Sequence, residues 1–391
     1  MNKIQIKEFA NSIDLLEELD RQGITGPART DIYKRYMDLR ARILRRPYLG
    51  SFELTPLCNF DCKMCYVHLN REQMGDTKVL STEQWINIMD QAINAGMMHA
   101  DLTGGECLSY PGFRELYLYL RSRGVAVSVL TNGQLLTEEM ADFFALYPPN
   151  KIQITVYGSD EDAYEAVTGY RAFADVCAAI ERLKKRNLRL SLAVTPNRFM
   201  QINTHELLEF LRSTEVPYVI GIGSLAAREE TGRAYDVYAP ENALYVKLHL
   251  DEQSYNSSHT VINEENEVTS VEYVPTGLEK LTGKLHCSSG RSTFHINWRG
   301  DMTPCIPFHT VNRSVPLFGF SDCWEWINQQ MSYYELPEEC QNCSKNMICQ
   351  ACPAERTMGI LNGSVNPDIC DRYQQFINAG LLTLPAEQNS K

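Results

Sequence analysis

From residue 51 to about 222 the sequence alternates six times between short strand-like runs and amphipathic helical stretches. No other feature constrains the fold as strongly. Successive strands joined through helices form a parallel sheet, and its crossovers are right-handed. The strand-like runs are SFELT (51–55), HADLTGG (99–105), VAVSVLTNG (125–133), KIQITVYG (151–158), LRLSLAVT (188–195) and PYVIGIGS (217–224). Helical spacing of apolar residues falls at about 82–95, 112–123, 137–146, 171–186 and 205–213. A closed eight-fold barrel needs more repeats than this. The pattern therefore predicts an α/β fold, an open and partial (β/α)6 barrel of the TIM-like kind. Strands two to six end in TGG, TNG, YGS, VTPN or GIGS. Small and polar residues at strand C-termini mark the rim where parallel barrels place their sites.

The chain holds thirteen cysteines in 391 residues. Three of them, Cys58-x3-Cys62-x2-Cys65, lie in ELTPLCNFDCKMCYVHLN, directly after the first strand and so on the same rim. Three thiolates on one tight loop suit three irons of a cubane cluster, which in an electron carrier takes a fourth Cys. No fourth Cys is near in sequence, which leaves one iron for another ligand. A structural zinc is the alternative, and it would want His68 as its fourth ligand. Beside this loop, Thr103-Gly104-Gly105-Glu106 ends the second strand. Two glycines allow close backbone approach, and a carboxylate can accept from an ammonium group.

Charge and hydropathy narrow the classes. There are 37 Lys and Arg against 49 Asp and Glu, a net charge of −12, which disfavours nucleic-acid and anionic-membrane binding. No apolar run reaches the roughly 18 residues of a membrane span. The opening MNKIQIKEFANSIDLLEELD carries acidic residues where a signal peptide needs an apolar stretch. The expectation is a cytoplasmic protein, in which clustered cysteines read as metal ligands rather than disulfides.

At residues 48–225 the sequence resembles the radical S-adenosylmethionine superfamily, through the Cys58, Cys62, Cys65 spacing and Gly104-Gly105-Glu106. The resemblance implies a [4Fe-4S] cluster on the three cysteines, with its open iron chelated by the amine and carboxylate of S-adenosyl-L-methionine. One electron then cleaves the sulfonium to methionine and a 5′-deoxyadenosyl radical, which takes a hydrogen from the substrate. It also implies that Gly104, Gly105 and Glu106 face the methionine amino group. Thr155, Asn132 and Ser159 become cofactor contacts on the same rim. Met64 stands before the third Cys, where many relatives carry an aromatic residue, and it can pad the adenine. Thr168-Gly169 stands where some relatives have Arg-Gly, and Arg171 is the nearby substitute.

The back third holds Cys287 and Cys305, which frame CSSGRSTFHINWRGDMTPC. That stretch reads as a hairpin of TFHINW, an Arg299-Gly300-Asp301 turn and MTPC. Then come Cys340-x2-Cys343-x5-Cys349-x2-Cys352 and finally Cys370. Seven cysteines in about eighty residues exceed what one zinc needs, and two zinc sites are the alternative. The order resembles the SPASM domain over residues 284–375, a small cysteine-rich auxiliary-cluster domain. It implies two auxiliary [4Fe-4S] clusters. Cys287, Cys305 and Cys352 would hold the first, and Cys340, Cys343, Cys349 and Cys370 the second. The fourth site of the first cluster is open, filled by substrate or filled by another residue, with His286, His295 and His309 near in sequence. Cys107, Cys177 and Cys323 stay unassigned: Cys177 and Cys323 read as core, and Cys107 follows Gly-Gly-Glu.

The expected domains are a helical segment at 1–48, the barrel at 49–225, a helix and bridging region at 226–283 and the auxiliary-cluster domain at 284–375. A tail at 376–391 completes the chain. The basic stretch with Lys34, Arg35, Arg40, Arg42, Arg45 and Arg46 reads either as a helix packed on the barrel or as a dock for an acidic partner. The polar run 252–274 reads as a loop over the cavity. The resemblance implies peptide modification: cross-linking, thioether formation, epimerisation or oxidation of a ribosomally made peptide. The partners implied are that peptide, a flavodoxin- or ferredoxin-type electron donor and a separate precursor-recognition protein. The alternatives are a small-molecule dehydrogenase or rearrangement enzyme, a sulfatase-type maturase and a non-catalytic iron–sulfur carrier. Cys305 is followed by Ile306-Pro307-Phe308 rather than an Asp, which disfavours the sulfatase-type reaction. Asp101, Glu106 and Tyr157 lie near strand ends as acid–base candidates.

Overall fold

A computed structural model describes residues 11–200, 204–221, 287–343, 352–357, 360 and 363–378. Cys349, His286, the 252–274 run and the 226–283 region lie outside these residues.

Six parallel strands form in chain order: β1 (Leu49–Glu53), β2 (His99–Thr103), β3 (Ala126–Thr131), β4 (Lys151–Val156), β5 (Leu190–Val194) and β6 (Tyr218–Ile220). Each pairs with the next, and helices on one side connect them. Helix α4 (Thr82–Asn94) leads into β2, α5 (Phe113–Ser122) into β3 and α6 (Glu138–Leu146) into β4. The helix expected at 171–186 is α8 (Phe173–Lys184), and a further helix that was not expected, α7 (Glu161–Thr168), precedes it. Asp160 caps α7 through Ala163 N, and Gly169 ends it in the left-handed region at φ 77°. This fits the residue preferences of helix ends. Helix α9 (Thr204–Ser213) precedes β6. Among the described residues no helix is long and apolar enough to cross a membrane.

The hairpin at the back of the chain extends this same sheet. Strand β7 (Thr293–Ile296) pairs parallel with β1, Ser51 opposite His295, and β8 (Asp301–Thr303) and β9 (Arg313–Ser314) follow antiparallel. The sheet order is β6-β5-β4-β3-β2-β1-β7-β8-β9. The strands therefore run without a break across the expected boundary at 284.

The two sheet faces differ in chemistry, because side chains alternate along each strand. One face carries Phe52, Leu102, Val129, Ile154 and Leu192, all buried. Phe52 meets Trp85 of α4 at 6.1 Å and Phe294 of β7 at 5.9 Å, both edge to face. Each such fully buried side chain contributes roughly 1.5–3 kcal/mol. The other face carries Ser51, Glu53, Asp101, Thr103, Ser128, Gln153, Thr155 and His295, in register from strand to strand. A closed parallel barrel fills that interior with branched apolar side chains. Here that face is polar.

Helix α2 (Gly26–Leu44) lies across the N-terminal ends of the strands. Lys34 Nζ donates to Asn150 Oδ1 at 3.0 Å, just before β4, and Ser292 Oγ donates to Asp38 Oδ1 at 2.9 Å, just before β7. Helix α1 (Ser12–Arg21) packs on α2 through Leu15, Leu19, Ile32 and Tyr36. Arg45 reaches Asn328 at 2.8 Å. Of the basic stretch, Lys34 is thus engaged with the barrel and Arg45 with the helix Phe320–Ser332.

Candidate active site

The segment after β1 runs beside the end of β2. Leu54 N donates to Thr103 O at 2.9 Å, Gly105 N to Thr55 O at 2.7 Å and Glu106 N to Leu57 O at 2.9 Å. The approach is close enough to require both glycines. A Cβ at Gly104, where φ is +157°, would lie 2.6 Å from Thr55 O, and one at Gly105 would lie 2.4 Å from Leu57 O. Gly104-Gly105 thus ties the second strand to the root of the cysteine loop.

The loop is then clamped on its far side. Asp61 N donates to Thr168 O at 3.0 Å and Lys63 N to Val167 O at 2.9 Å, at the end of α7. Phe60 packs on Tyr157 at 6.3 Å and stacks on Tyr170 at 5.8 Å. Cys65 N donates to Cys62 O at 3.0 Å, a turn that brings the second and third thiols round. Backbone N–H groups already point at sulfur: Phe60 N to Cys58 Sγ at 3.3 Å and His68 N to Cys65 Sγ at 3.2 Å. Burial pushes the Cys58 thiol up to about 12, with the Glu106 and Cys65 charges adding to it. Burial also raises the Tyr157 phenol well above its usual range, helped by Cys62, Cys58 and Cys65. Tyr157 thus lies near the three cysteines. The His68 ring is 3.3 Å from Asp61 Oδ1, an ion pair when the ring is protonated. Among the described residues no three His, Cys, Asp or Glu side chains are grouped to hold a single metal ion.

Glu106 is 1% exposed, and its carboxylate is a hub behind the loop. It accepts from Thr131 Oγ1 at 2.9 Å, Asn132 N at 2.8 Å and Leu108 N at 2.9 Å. Burial raises its pKa, and those donors pull it back. Cys107 is buried behind it, donating to Leu130 O at 3.3 Å. The thiol therefore faces the protein interior. Met64 is buried in the main core. Thr155 lies half-buried on the polar face opposite Ala193, and Ser159 is half-buried before α7. Arg171 pairs with Asp162 and Glu165 at the surface. Burial raises the Asp101 pKa, against Lys151 and a hydrogen bond from Ser128.

One pair has no counterpart in the sequence reading. Glu53 Oε2 and His295 Nε2 are 3.3 Å apart, each side chain 1% exposed. His295 Nδ1 is 3.2 Å from Ser51 Oγ. The acidic residue inside an otherwise apolar strand run was the available signal. Its partner, 244 residues from Ser51, was not findable without the β1–β7 pairing. Replacing His295 by Leu removes the imidazole beside a buried carboxylate, an expected cost of about 3 kcal/mol. Replacing both Glu53 and His295 by Leu should recover most of it, as read from urea midpoints of the three variants against wild type.

At the back, Cys287, Cys305 and Cys352 are near enough to act on one another. Burial pushes Cys305 up to about 12, the Ser289 hydroxyl lowers it, and Cys352 and Cys287 raise it. Ser289 Oγ is 3.0 Å from Cys287 Sγ. Cys340 and Cys343 form a turn, Cys343 N to Cys340 O at 3.3 Å, at the end of the helix Glu338–Gln341. Burial raises the Tyr334 phenol, with Cys340, Cys352 and Cys287 among the charges acting on it. Cys370 is exposed on the helix Pro367–Asn378. His295 belongs to the Glu53 pair, and His309 Nδ1 lies 3.2 Å from Pro307 O. Cys323 is core, and Cys177 is half-buried on α8.

The family model described as the Radical SAM superfamily matches residues 52–211, the stretch that holds the cysteine loop and the Gly-Gly-Glu strand end. This part of the chain is a radical SAM domain. Such a domain takes S-adenosylmethionine and a [4Fe-4S] cluster. The chain is 24% identical to the antilisterial bacteriocin subtilosin biosynthesis protein AlbA of Bacillus subtilis, over 67% of this chain and 55% of that one. It is 24% identical to the sporulation killing factor maturation protein SkfB of the same organism, over 66% and 60%. It is 26% identical to the mycofactocin maturase MftC of Mycobacterium tuberculosis, over 68% and 66%. The chain thus spans between 55% and 66% of the length of these relatives. Among solved structures, Streptococcus suis SuiB bound to S-adenosylmethionine superposes with a TM-score of 0.59 at 13% identity, over 89% of this chain and 87% of that one. Native anSMEcpe with bound AdoMet gives 0.62 at 16%, over 86% and 97%. The partial parallel barrel is the fold they share.

Proposed function

We propose that this chain is a radical SAM enzyme that modifies a peptide. The observation that carries the reading is the cysteine loop itself. It presents three thiols on the rim, held by backbone hydrogen bonds on both sides, inside a radical SAM domain. The peptide as substrate is supported by the relatives, named for bacteriocin biosynthesis, killing-factor maturation and mycofactocin maturation.

The residues suit the cofactors. Burial and a neighbouring carboxylate make an uncoordinated Cys58 thiolate unfavourable, whereas an iron cluster supplies the compensating positive charge and deprotonates the thiol. Cys58, Cys62 and Cys65 hold three irons and leave the fourth for S-adenosylmethionine. When bound, the reduced cluster and this cofactor supply a 5′-deoxyadenosyl radical that removes a substrate hydrogen. Gly104 and Gly105 offer backbone to the methionine end, and the Glu106 carboxylate behind them ties the end of β2 to that of β3 through Thr131 and Asn132. Met64, Thr155 and Ser159 line the adenosine side. The polar face around Asp101, Gln153 and Thr155 receives the peptide segment. Cys287, Cys305 and Cys352 hold one auxiliary cluster. Cys340, Cys343, Cys349 and Cys370 hold the other, and a flavodoxin- or ferredoxin-type protein delivers electrons. A separate protein presents the precursor.

Anaerobic reconstitution tests this. The expected load is roughly twelve irons, as three four-iron clusters. Incubation with dithionite and S-adenosylmethionine should yield 5′-deoxyadenosine. Co-expression with a short precursor peptide, if the neighbouring genes encode one, should change that peptide's mass. About four irons would remove the auxiliary clusters. Zinc in place of iron would overturn the whole assignment, and an unmodified peptide with active cofactor cleavage would overturn the substrate.

A further inference from the structure

The resemblance made Asn132 a cofactor contact, but its side chain is committed to the cysteine loop. Oδ1 accepts from Gln134 N at 3.0 Å. Nδ2 donates to Asn59 Oδ1 at 2.8 Å and lies 3.7 Å from Cys58 Sγ. Asn59 Nδ2 in turn donates to Gln134 Oε1 at 2.7 Å, which closes the ring. These partners settle which way the amide points. A flip would set N–H against the Gln134 N–H and oxygen against Asn59 Oδ1. The Asn132 backbone is fixed as well, since its N–H donates to Glu106 Oε2 at 2.8 Å. Asn132 is 6% exposed, and a buried dipole acts at greater strength than one in water.

We propose that Asn132 is a positioning residue that sets the reduction potential of the front cluster, by aiming its side-chain amide at the Cys58 sulfur. The inference rests on the reading of Cys58 as an iron ligand. Reduction adds one electron, and therefore negative charge, to the cluster and its thiolates. An N–H dipole directed at a ligating sulfur favours the reduced form, so it raises the potential. No bond is made or broken in this step. The Glu106 carboxylate acts through Asn132. It holds the Asn132 backbone in place, and the side chain carries the effect to sulfur.

The test is a dithionite titration of reconstituted full-length protein, followed by electron paramagnetic resonance. The signal followed is the one that the Cys58→Ala, Cys62→Ala, Cys65→Ala triple variant lacks. Asn132→Asp keeps the shape, removes the donor and places an oxygen against sulfur. Asn132→Leu removes the donor without adding charge. In Asn132→Asp the ratio of reduced to oxidised cluster at fixed potential should fall about tenfold, a shift of about 59 mV for one electron. Asn132→Leu should shift in the same direction by less. An unchanged midpoint in both loaded variants overturns the inference. So does failure of both to load a front cluster while circular dichroism is unchanged, because Asn132 would then be an assembly residue. A signal that persists in the triple cysteine variant sinks the reading of Cys58 instead.

Discussion

Changing Cys58, Cys62 and Cys65 together to Ala is expected to end reductive cleavage of S-adenosylmethionine while leaving the protein folded. The fall in 5′-deoxyadenosine formation should exceed about a thousandfold, more than about 4 kcal/mol of barrier at 1.36 kcal/mol per decade. The reason is chemical, because no other side chain on this loop offers a thiolate to iron. The reason the fold survives lies in the backbone. The loop is held through Leu54, Gly105, Glu106, Asp61 and Lys63 main-chain hydrogen bonds, none of which uses a sulfur. Iron should drop by about four from roughly twelve. The paired control is Cys340→Ala with Cys343→Ala, which should keep cofactor cleavage and lose iron from the back of the chain. Chromatography of the quenched reaction and a colorimetric iron assay read both. If 5′-deoxyadenosine forms at the wild-type rate in the triple variant, the front loop is not the cluster site.

The six strand–helix repeats were readable because each parallel strand is a local apolar run with a turn residue after it, and the helices that follow have a clear apolar stripe. The rim position of the cysteine loop followed from chain order alone. Three things did not follow. Helix α7 is short and acidic, so its start rests on one Asp160 cap rather than on periodicity. Strand β7 looked like half of a separate hairpin, since nothing local in TFHINW says that it pairs with β1 near the front of the chain. The carboxylate of Glu106 looked like an outward acceptor. Its real surroundings, Thr131 and Asn132, come from the neighbouring strand and exist only once β2 and β3 are side by side. In each case the missing information was a tertiary partner. The β7 pairing has a functional side. It makes the strand that follows Cys287 a neighbour of the strand that leads to Cys58, so both cysteine regions are built on one sheet.

Gly105→Ala is expected to be the most damaging change that touches no cysteine. The added methyl would sit 2.4 Å from Leu57 O and 2.6 Å from Pro56 O, both backbone atoms that no rotamer change can move. Relief requires the end of β2 to part from the root of the loop. That strains the Gly105 to Thr55 and Glu106 to Leu57 hydrogen bonds, each contributing about 1 kcal/mol. A displacement of the order of 1 Å in a positioned catalytic group costs about a hundredfold in rate. Cofactor cleavage should therefore fall by about that factor. The sheet itself should persist, because the strands pair through residues before the glycines and their apolar face is untouched. Iron content separates the two ways this can happen. Retained iron with slow cleavage means that the cofactor end of the site has shifted. Lost iron means that the loop no longer holds three thiols together. A variant with wild-type iron and wild-type cleavage would show that the close packing of Gly-Gly on the loop root has no part in the site.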